Sequence, residues 1–401
     1  MTDQSIRSQF PILQRKVNRK PLIFLDGPAG TQVPQSVIDA ISTYYQTSNA
    51  NSHGAFITTH ETDAMMDGLR QKMAGFVGAA GPHCISLGAN MTTLNYALSH
   101  AIGQVLQAGD EILITQLDHE ANRAPWLALR SKGLIVREVR LLPDGTLDYD
   151  DFLHKINERT RLVAMGYASN IFGTVNDVRL VREWTYKVGA WLLLDAVHYA
   201  PHLPLDVQDI GCDFLLCSAY KFYGPHVGIL YTKEGILDRL PTNCLRTAPQ
   251  QAPFKIETGT PNFAAMAGVA AAVDFIAGFG KGKEYRKKIL SGMDAIHKRE
   301  RRCFTLLYEG LKSIPGITIY GPSNREQRAP TLSFTLKGKT ALEVCQYLAS
   351  HNICAWDGHF YAIRSTEVLG LLENGGVTRM GMAVYTTEEE VNQVLDVVRG
   401  M

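Results

Sequence analysis

Several features are scarce in this 401-residue chain, and each scarcity removes a class of function. No apolar run approaches the ~20 residues a membrane span needs, and the opening MTDQSIRSQF has no apolar segment of the signal-peptide kind. A cytoplasmic protein without a membrane partner is expected. Charge of one sign is equally scarce: 40 Lys+Arg stand against 39 Asp+Glu, a formal net charge of +1. The basic runs RKVNRK and HKRERR read as solvated faces, so nucleic acid is not an expected partner. The seven cysteines are odd in number and lack the paired spacing of a disulfide framework or zinc site. Cys212, Cys217 and Cys345 sit in apolar contexts and read as packing residues. His198 and His202 are four apart, but Pro201 interrupts any regular helix there and no third ligand accompanies them, so no metal is expected. Neither a Walker lysine nor GxGxxG is present, which disfavours a nucleotide.

What the chain does have is order. After an N-terminal arm, residues 1–22, the run PLIFLD leads into the turn Gly27-Pro28-Ala29-Gly30-Thr31. Its small residues, Ala29 among them, let backbone approach a ligand, although a surface turn has the same composition. A helix is expected over 33–45, then a polar loop, TSNANSHGAF, whose His53 is either a site residue or merely exposed. From about Ala64, helices alternate with the strands CISLG, EILIT, LIVREVRL, RLVAMGY and WLLLD, a helix being expected from about Ala121. Such alternation implies a mostly parallel sheet covered on both faces. A long helical region from Ala264 to about Ser313 follows. ITIYG, TLSFTL, a helix from Ala341, a short strand near ICAWD and a closing helix from Thr387 complete the chain. The expected division is 23–265 for a large α/β domain and 266–401 for a smaller α+β domain.

Chemistry concentrates in 191–228. The apolar run WLLLD ends in Asp195, and a second run ends near Cys217, followed by Ser218 and Lys221 in a turn rich in Tyr, Gly and Pro. Open α/β sheets bind ligands at the carboxyl ends of their strands. An amine and a carboxylate delivered there suit pyridoxal phosphate: Lys221 forms a Schiff base with its aldehyde, and Asp195 keeps the pyridine nitrogen protonated. Either residue alone is as readily a surface lysine or a helix cap; the ordered pair carries the argument. Gly88-Ala89-Asn90-Met91-Thr92 opens a helix and offers backbone N–H donors to a phosphate, with Asn90 equally its N-cap. The Ser218 hydroxyl suits the same phosphate. The His119 ring either lies flat against the cofactor or simply starts a helix. Asn170 and His198 are candidates to hydrogen-bond the phenolate oxygen. Arg379, in the apolar run around GGVTRMGMAVY, needs an anionic partner: a substrate carboxylate or a structural carboxylate.

With these residues assembled, the chain resembles the class V aminotransferase superfamily, and within it the cysteine desulfurases of the SufS-like group. The resemblance runs through SQFPILQRKVNRKPLIFLDGPAG, ITQLDHEANRAPW, SNIFGT, SAYKFYGP, ETGTPN and RMGMAVYTTEEEV. It implies a pyridoxal-phosphate-dependent transferase of fold type I acting on a small amino acid. Lys221 and Asp195 then keep the roles given above, His119 stacks on the ring, and Arg379 binds the substrate carboxylate. The resemblance further implies a homodimer in which Thr260 reaches the phosphate of the neighbouring subunit, with His53 as the active-site histidine of its loop. Departures bear on outcome. The group's sulfur-accepting Cys lies in an RTGHHCA-like loop, whereas here AWDGHFYA puts Tyr361 in its place and Trp356 in place of the Arg. His198 replaces a Gln, Tyr220 a His, and Ala89-Asn90-Met91 a Gly-Thr-Thr. A phenol cannot form a persulfide, so the expected reaction is Cα deprotonation followed by loss of a β-substituent. Desulfuration with another acceptor, with Cys354 considered for that role, transamination, epimerisation and a non-catalytic scaffold are the competing readings.

Overall fold

The computed structural model describes residues 1–324 and 326–401. A seven-stranded sheet forms its centre: β1 (Ile85–Gly88), β2 (Glu111–Thr115), β3 (Ile135–Val139), β4 (Thr160–Gly166), β5 (Trp191–Asp195), β6 (Phe214–Ser218) and β7 (Gly228–Thr232). Their spatial order is β1-β7-β6-β5-β4-β2-β3. All pairings are parallel except those of β7, which runs antiparallel to both β1 and β6. The sheet is buried because its strands are apolar on both faces. Alternate residues divide between two cores: Leu192, Leu194, Leu215 and Cys217 enter one, and Leu193, Phe214 and Leu216 the other.

Helices α1 (Gln35–Thr47), α2 (Ile57–Val77), α3 (Met91–Ile102), α4 (Val178–Val188) and α5 (Phe263–Ala277) pack in this larger unit. A 28-residue helix, α6 (Tyr285–Lys312), runs from the large core to the small one, with Met293 and Ile296 in the first and Phe304 and Leu307 in the second. The smaller sheet is antiparallel in the order β8-β9-β11-β10, where β8 is Ile317–Tyr320, β9 Thr331–Leu336, β10 Trp356–Gly358 and β11 Val377–Gly381. Helices α7 (Ala341–Ser350) and α8 (Glu388–Arg399) cover it, each started by a capping box on Thr340 or Thr387.

The alternating order and the two-sheet architecture match expectation, with local differences. Helix α2 begins at Ile57 rather than near Ala64, since its buried positions include Thr59 and Thr62, which interrupt the apolar stripe. The helix expected from Ala121 is only a series of short turns to Lys132, consistent with Pro125 inside it and the left-handed Gly133 at its end. The region from Ala264 breaks into α5 and α6 around Gly280, where a Cβ would overlap the Lys288 carbonyl. PLIFLD splits, and its Ile23–Phe24 half pairs in parallel with Ile353–Cys354. Consequently Ile23 and Leu25 join the smaller core, while α5, which spans residue 265, packs on α1 and α2. Among the described residues, no helix is long and apolar enough to cross a membrane, and no group of acidic, His or Cys side chains is arranged to hold a metal ion.

Candidate active site

The carboxyl ends of β2, β4, β5 and β6 open into one cavity of about 780 Å³, lined on its far side by β10, by residues 359–361 that follow it, and by Arg379 of β11. Lys221 sits here in a short turn after β6, 8% exposed, with Nζ donating to the Pro28 carbonyl. Burial, followed by the nearby Arg379 charge, pulls its amine down to about 7 from an ordinary 10.5. Asp195 ends β5 and lies in the same cavity, its Oδ1 accepting from the Val197 N–H at 2.9 Å. Burial raises this carboxyl to about 6. A cation placed against it would reverse that shift.

Asn90 caps α3, accepting from the Thr93 N–H at 2.9 Å, and the first helical N–H, that of Met91, donates to Ser218 Oγ at 3.1 Å. The N-terminal dipole of α3 and the Ser218 hydroxyl thus converge on one corner. That convergence depends on Gly228, since a Cβ there would lie 2.3 Å from the Asn90 carbonyl carbon. His119 Nδ1 accepts from the Ala121 N–H at 3.0 Å, which leaves the proton of the neutral ring on Nε2. Burial and the charges of Lys221 and Arg379 lower His119 to about 4, so it is neutral at neutral pH. Burial likewise holds His198 well below the usual histidine range. Its Nε2 meets Thr331 Oγ1 at 3.0 Å, and its buried Nδ1 has no protein partner.

Arg379 reaches in from β11 and is 4% exposed, with Nη1 donating to the Asn170 carbonyl at 2.9 Å and the Phe360 ring 3.9 Å from its guanidinium carbon. Its Nε is buried without a partner. Burial lowers it to about 9, partly offset by Asp26. Ala29, Asn170 and Tyr361 also line the cavity.

Of the expected site residues, eleven therefore meet in one place, whereas His53 and Thr260 do not line it. His53 is exposed, left-handed (φ 66°), and pairs with Asp63 at 3.4 Å. Thr260 is exposed as well. Two participants went unnoticed in the sequence. Asp118, beside His119, is raised to about 7 by burial and binds the Gly166 N–H at 2.6 Å; its position just after a strand was the available signal. Phe360 had none, because its place over Arg379 depends on a left-handed backbone (φ 52°). Among the described residues, no cysteine lines the cavity. Cys354 lies on the short strand beside Ile23–Phe24, and burial raises its thiol to about 11.

A family model for aminotransferase class-V matches residues 23–394. The chain belongs to the aminotransferase class-V family. Over 98% of its length it is 32% identical to a cysteine desulfurase of Pectobacterium atrosepticum, covering 96% of that protein. It is 33% identical to a probable cysteine desulfurase of Synechocystis, over 98% of this chain and 93% of the other. Its fold matches the apo cysteine desulfurase of Thermococcus onnurineus with a TM-score of 0.90 at 26% identity, covering 99% and 97% of the two chains. A cysteine desulfurase of Escherichia coli, in an S-sulfonic acid form, gives 0.86 at 26% identity over 99% and 98%. This class-V protein is thus a desulfurase-like enzyme of fold type I, in a family dependent on pyridoxal phosphate. The donor set fits that group: a neutralised amine, a buried carboxylate, a helix start for phosphate, and a buried His198 Nδ1 still without a partner.

Proposed function

We propose that this class-V enzyme uses pyridoxal phosphate to remove the α-proton of a small L-amino acid and expel its β-substituent, most naturally a sulfur group. The observation that carries this reading is an amine lowered to about 7 that shares a cavity with Asp195 and Arg379 and, among the described residues, with no thiol. Bound here, the cofactor supplies an electron sink for negative charge on Cα. Lys221 would hold it covalently, Asp195 would face the ring nitrogen, and the Met91 N–H, Asn90 and Ser218 would hold its phosphate. Asn170 and His198 would serve the phenolate side and His119 the ring face.

Toward substrate, Arg379 orients the carboxylate with its planar fork, beside Ala29 and Tyr361. Lys221, once free, takes the Cα proton on Nζ, because burial brings its amine down to near cellular pH, where a substantial share is neutral. The Cβ–S pair of electrons then leaves with sulfur. We place Thr260 and His53 at the cavity of a partner subunit, in keeping with their exposure in the single chain. Desulfuration of cysteine is the second reading, favoured by the names of the relatives and opposed by the absence of a cysteine from the cavity lining.

Borohydride reduction of the holoenzyme followed by peptide mapping tests the foundation. Label is expected on Lys221 and is expected to vanish in Lys221→Ala, together with pyruvate formation from cysteine derivatives. Label on another residue, or undiminished turnover in the variant, would remove the proposal.

A further inference from the structure

The cavity is divided by chemistry. Its inner half carries Lys221, Asp195, His198 and Ser218, and its mouth is ringed by Tyr96, Trp356, His359 and Tyr361. In the single chain these rings are open rather than packed in a core: Tyr361 is 68% exposed, Trp356 52% and Tyr96 47%. Their positions are fixed by backbone. Trp356 and Arg379 are direct register partners on β10 and β11, so both side chains leave the same face of the sheet. The indole therefore borders the guanidinium that would hold a substrate carboxylate.

The next residues are pinned more strongly. Phe360 and Tyr361 are both left-handed, at φ 52° and 57°, an arrangement that non-glycine residues keep only when their surroundings impose it. Here Asn170 Nδ2 donates to the Phe360 carbonyl at 2.9 Å and the Glu120 N–H to the Tyr361 carbonyl at 2.7 Å. The outcome is Phe360 over Arg379 and the Tyr361 ring 5.5 Å from that of His119. Backbone strain is spent to hold rings around the space beyond the reacting carbons.

The geometry points to a leaving group that is flat and apolar: the substrate is a cysteine whose sulfur carries an aryl or comparable planar substituent, which lies between Trp356 and Tyr361. This rests on the β-elimination reading above and names its substrate class. The reaction balances with water alone. The Cα proton goes to Lys221 Nζ, the Cβ–S bond breaks with its electron pair on sulfur, and the thiolate takes up a proton. The remaining three-carbon enamine adds water to give pyruvate and ammonium.

The test compares S-phenyl-L-cysteine, S-methyl-L-cysteine and L-cysteine on the holoenzyme, following pyruvate and the released thiol. S-phenyl-L-cysteine is expected to lead in kcat/KM by about tenfold or more, the gap lying in KM, as an apolar subsite gives. Trp356→Ala and Tyr361→Ala should raise KM for the phenyl compound towards that of the methyl compound, and Trp356→Phe should restore most of the difference. A readout independent of turnover is tryptophan emission, since Trp356 is the only tryptophan lining the cavity among the described residues. S-phenyl-L-cysteine should quench it at concentrations where S-methyl-L-cysteine does not, and the quench should be absent in Trp356→Phe. Equal kcat/KM for the phenyl and methyl compounds, preference for free cysteine, or a quench that persists in Trp356→Phe would overturn the inference while leaving the Lys221 label intact. Loss of that label would instead overturn the cofactor reading.

Discussion

At the scale of single residues, the site works by burial more than by pairing. Lys221, His119, His198 and Arg379 are all shifted toward their neutral forms, and desolvation is the first cause for each. A lysine lowered to about 7 presents a neutral amine over the whole range above that pH. Capture of pyridoxal phosphate by cofactor-free protein should therefore accelerate up to a midpoint near 7 and flatten above it. Stopped-flow absorbance against pH would measure this, and a midpoint close to the ordinary 10.5 would refute the burial argument. The sequence disclosed Lys221 and Asp195 because each follows an apolar run. It could not disclose Phe360, whose role arises from two consecutive left-handed residues that no composition rule predicts.

At the scale of elements, strands deliver the chemistry and one strand shapes it by being thin. β7 went unrecognised in the sequence, yet its Gly228 is what lets the 88–91 loop lie against the sheet. A methyl group at 228 would meet backbone atoms, at 2.3 Å from the Asn90 carbonyl carbon and 2.5 Å from its oxygen, rather than a side chain that can swing aside. Gly228→Ala is accordingly expected to cost about 1–3 kcal/mol in urea unfolding and to weaken retention of cofactor on gel filtration. Retention equal to that of the parent would show that the loop yields without loss. The major helices and strands were mostly legible from periodicity, with the exception of elements such as α2, whose buried threonines break the stripe.

At the scale of the whole molecule, a buried acid on α6 joins stretches of chain far apart in sequence. Glu300 accepts from His202 at 2.8 Å, with both side chains at most 2% exposed, and its other oxygen lies 3.5 Å from the Tyr223 hydroxyl. That hydroxyl in turn accepts from the Val384 N–H at 3.3 Å. One carboxylate thus spans the turn after Lys221, the loop after β5 and the segment after β11. Glu300→Ala should destabilise by about 1–3 kcal/mol, because it strands buried polar partners, and Glu300→Gln, which keeps an acceptor, should cost less. A denaturant midpoint unchanged in the alanine variant would refute this bridging role. Neither His202 nor Glu300 could be paired from the sequence, where 98 positions separate them.

The parallel pairing of Ile23–Phe24 with Ile353–Cys354 governs the order in which this molecule can be made. One partner of this pairing must wait for the other, synthesised 330 positions later. Until the smaller core has been made, Ile23 and Leu25 stay without their apolar partners while the larger unit grows, and a shielding chaperone would act on that stretch.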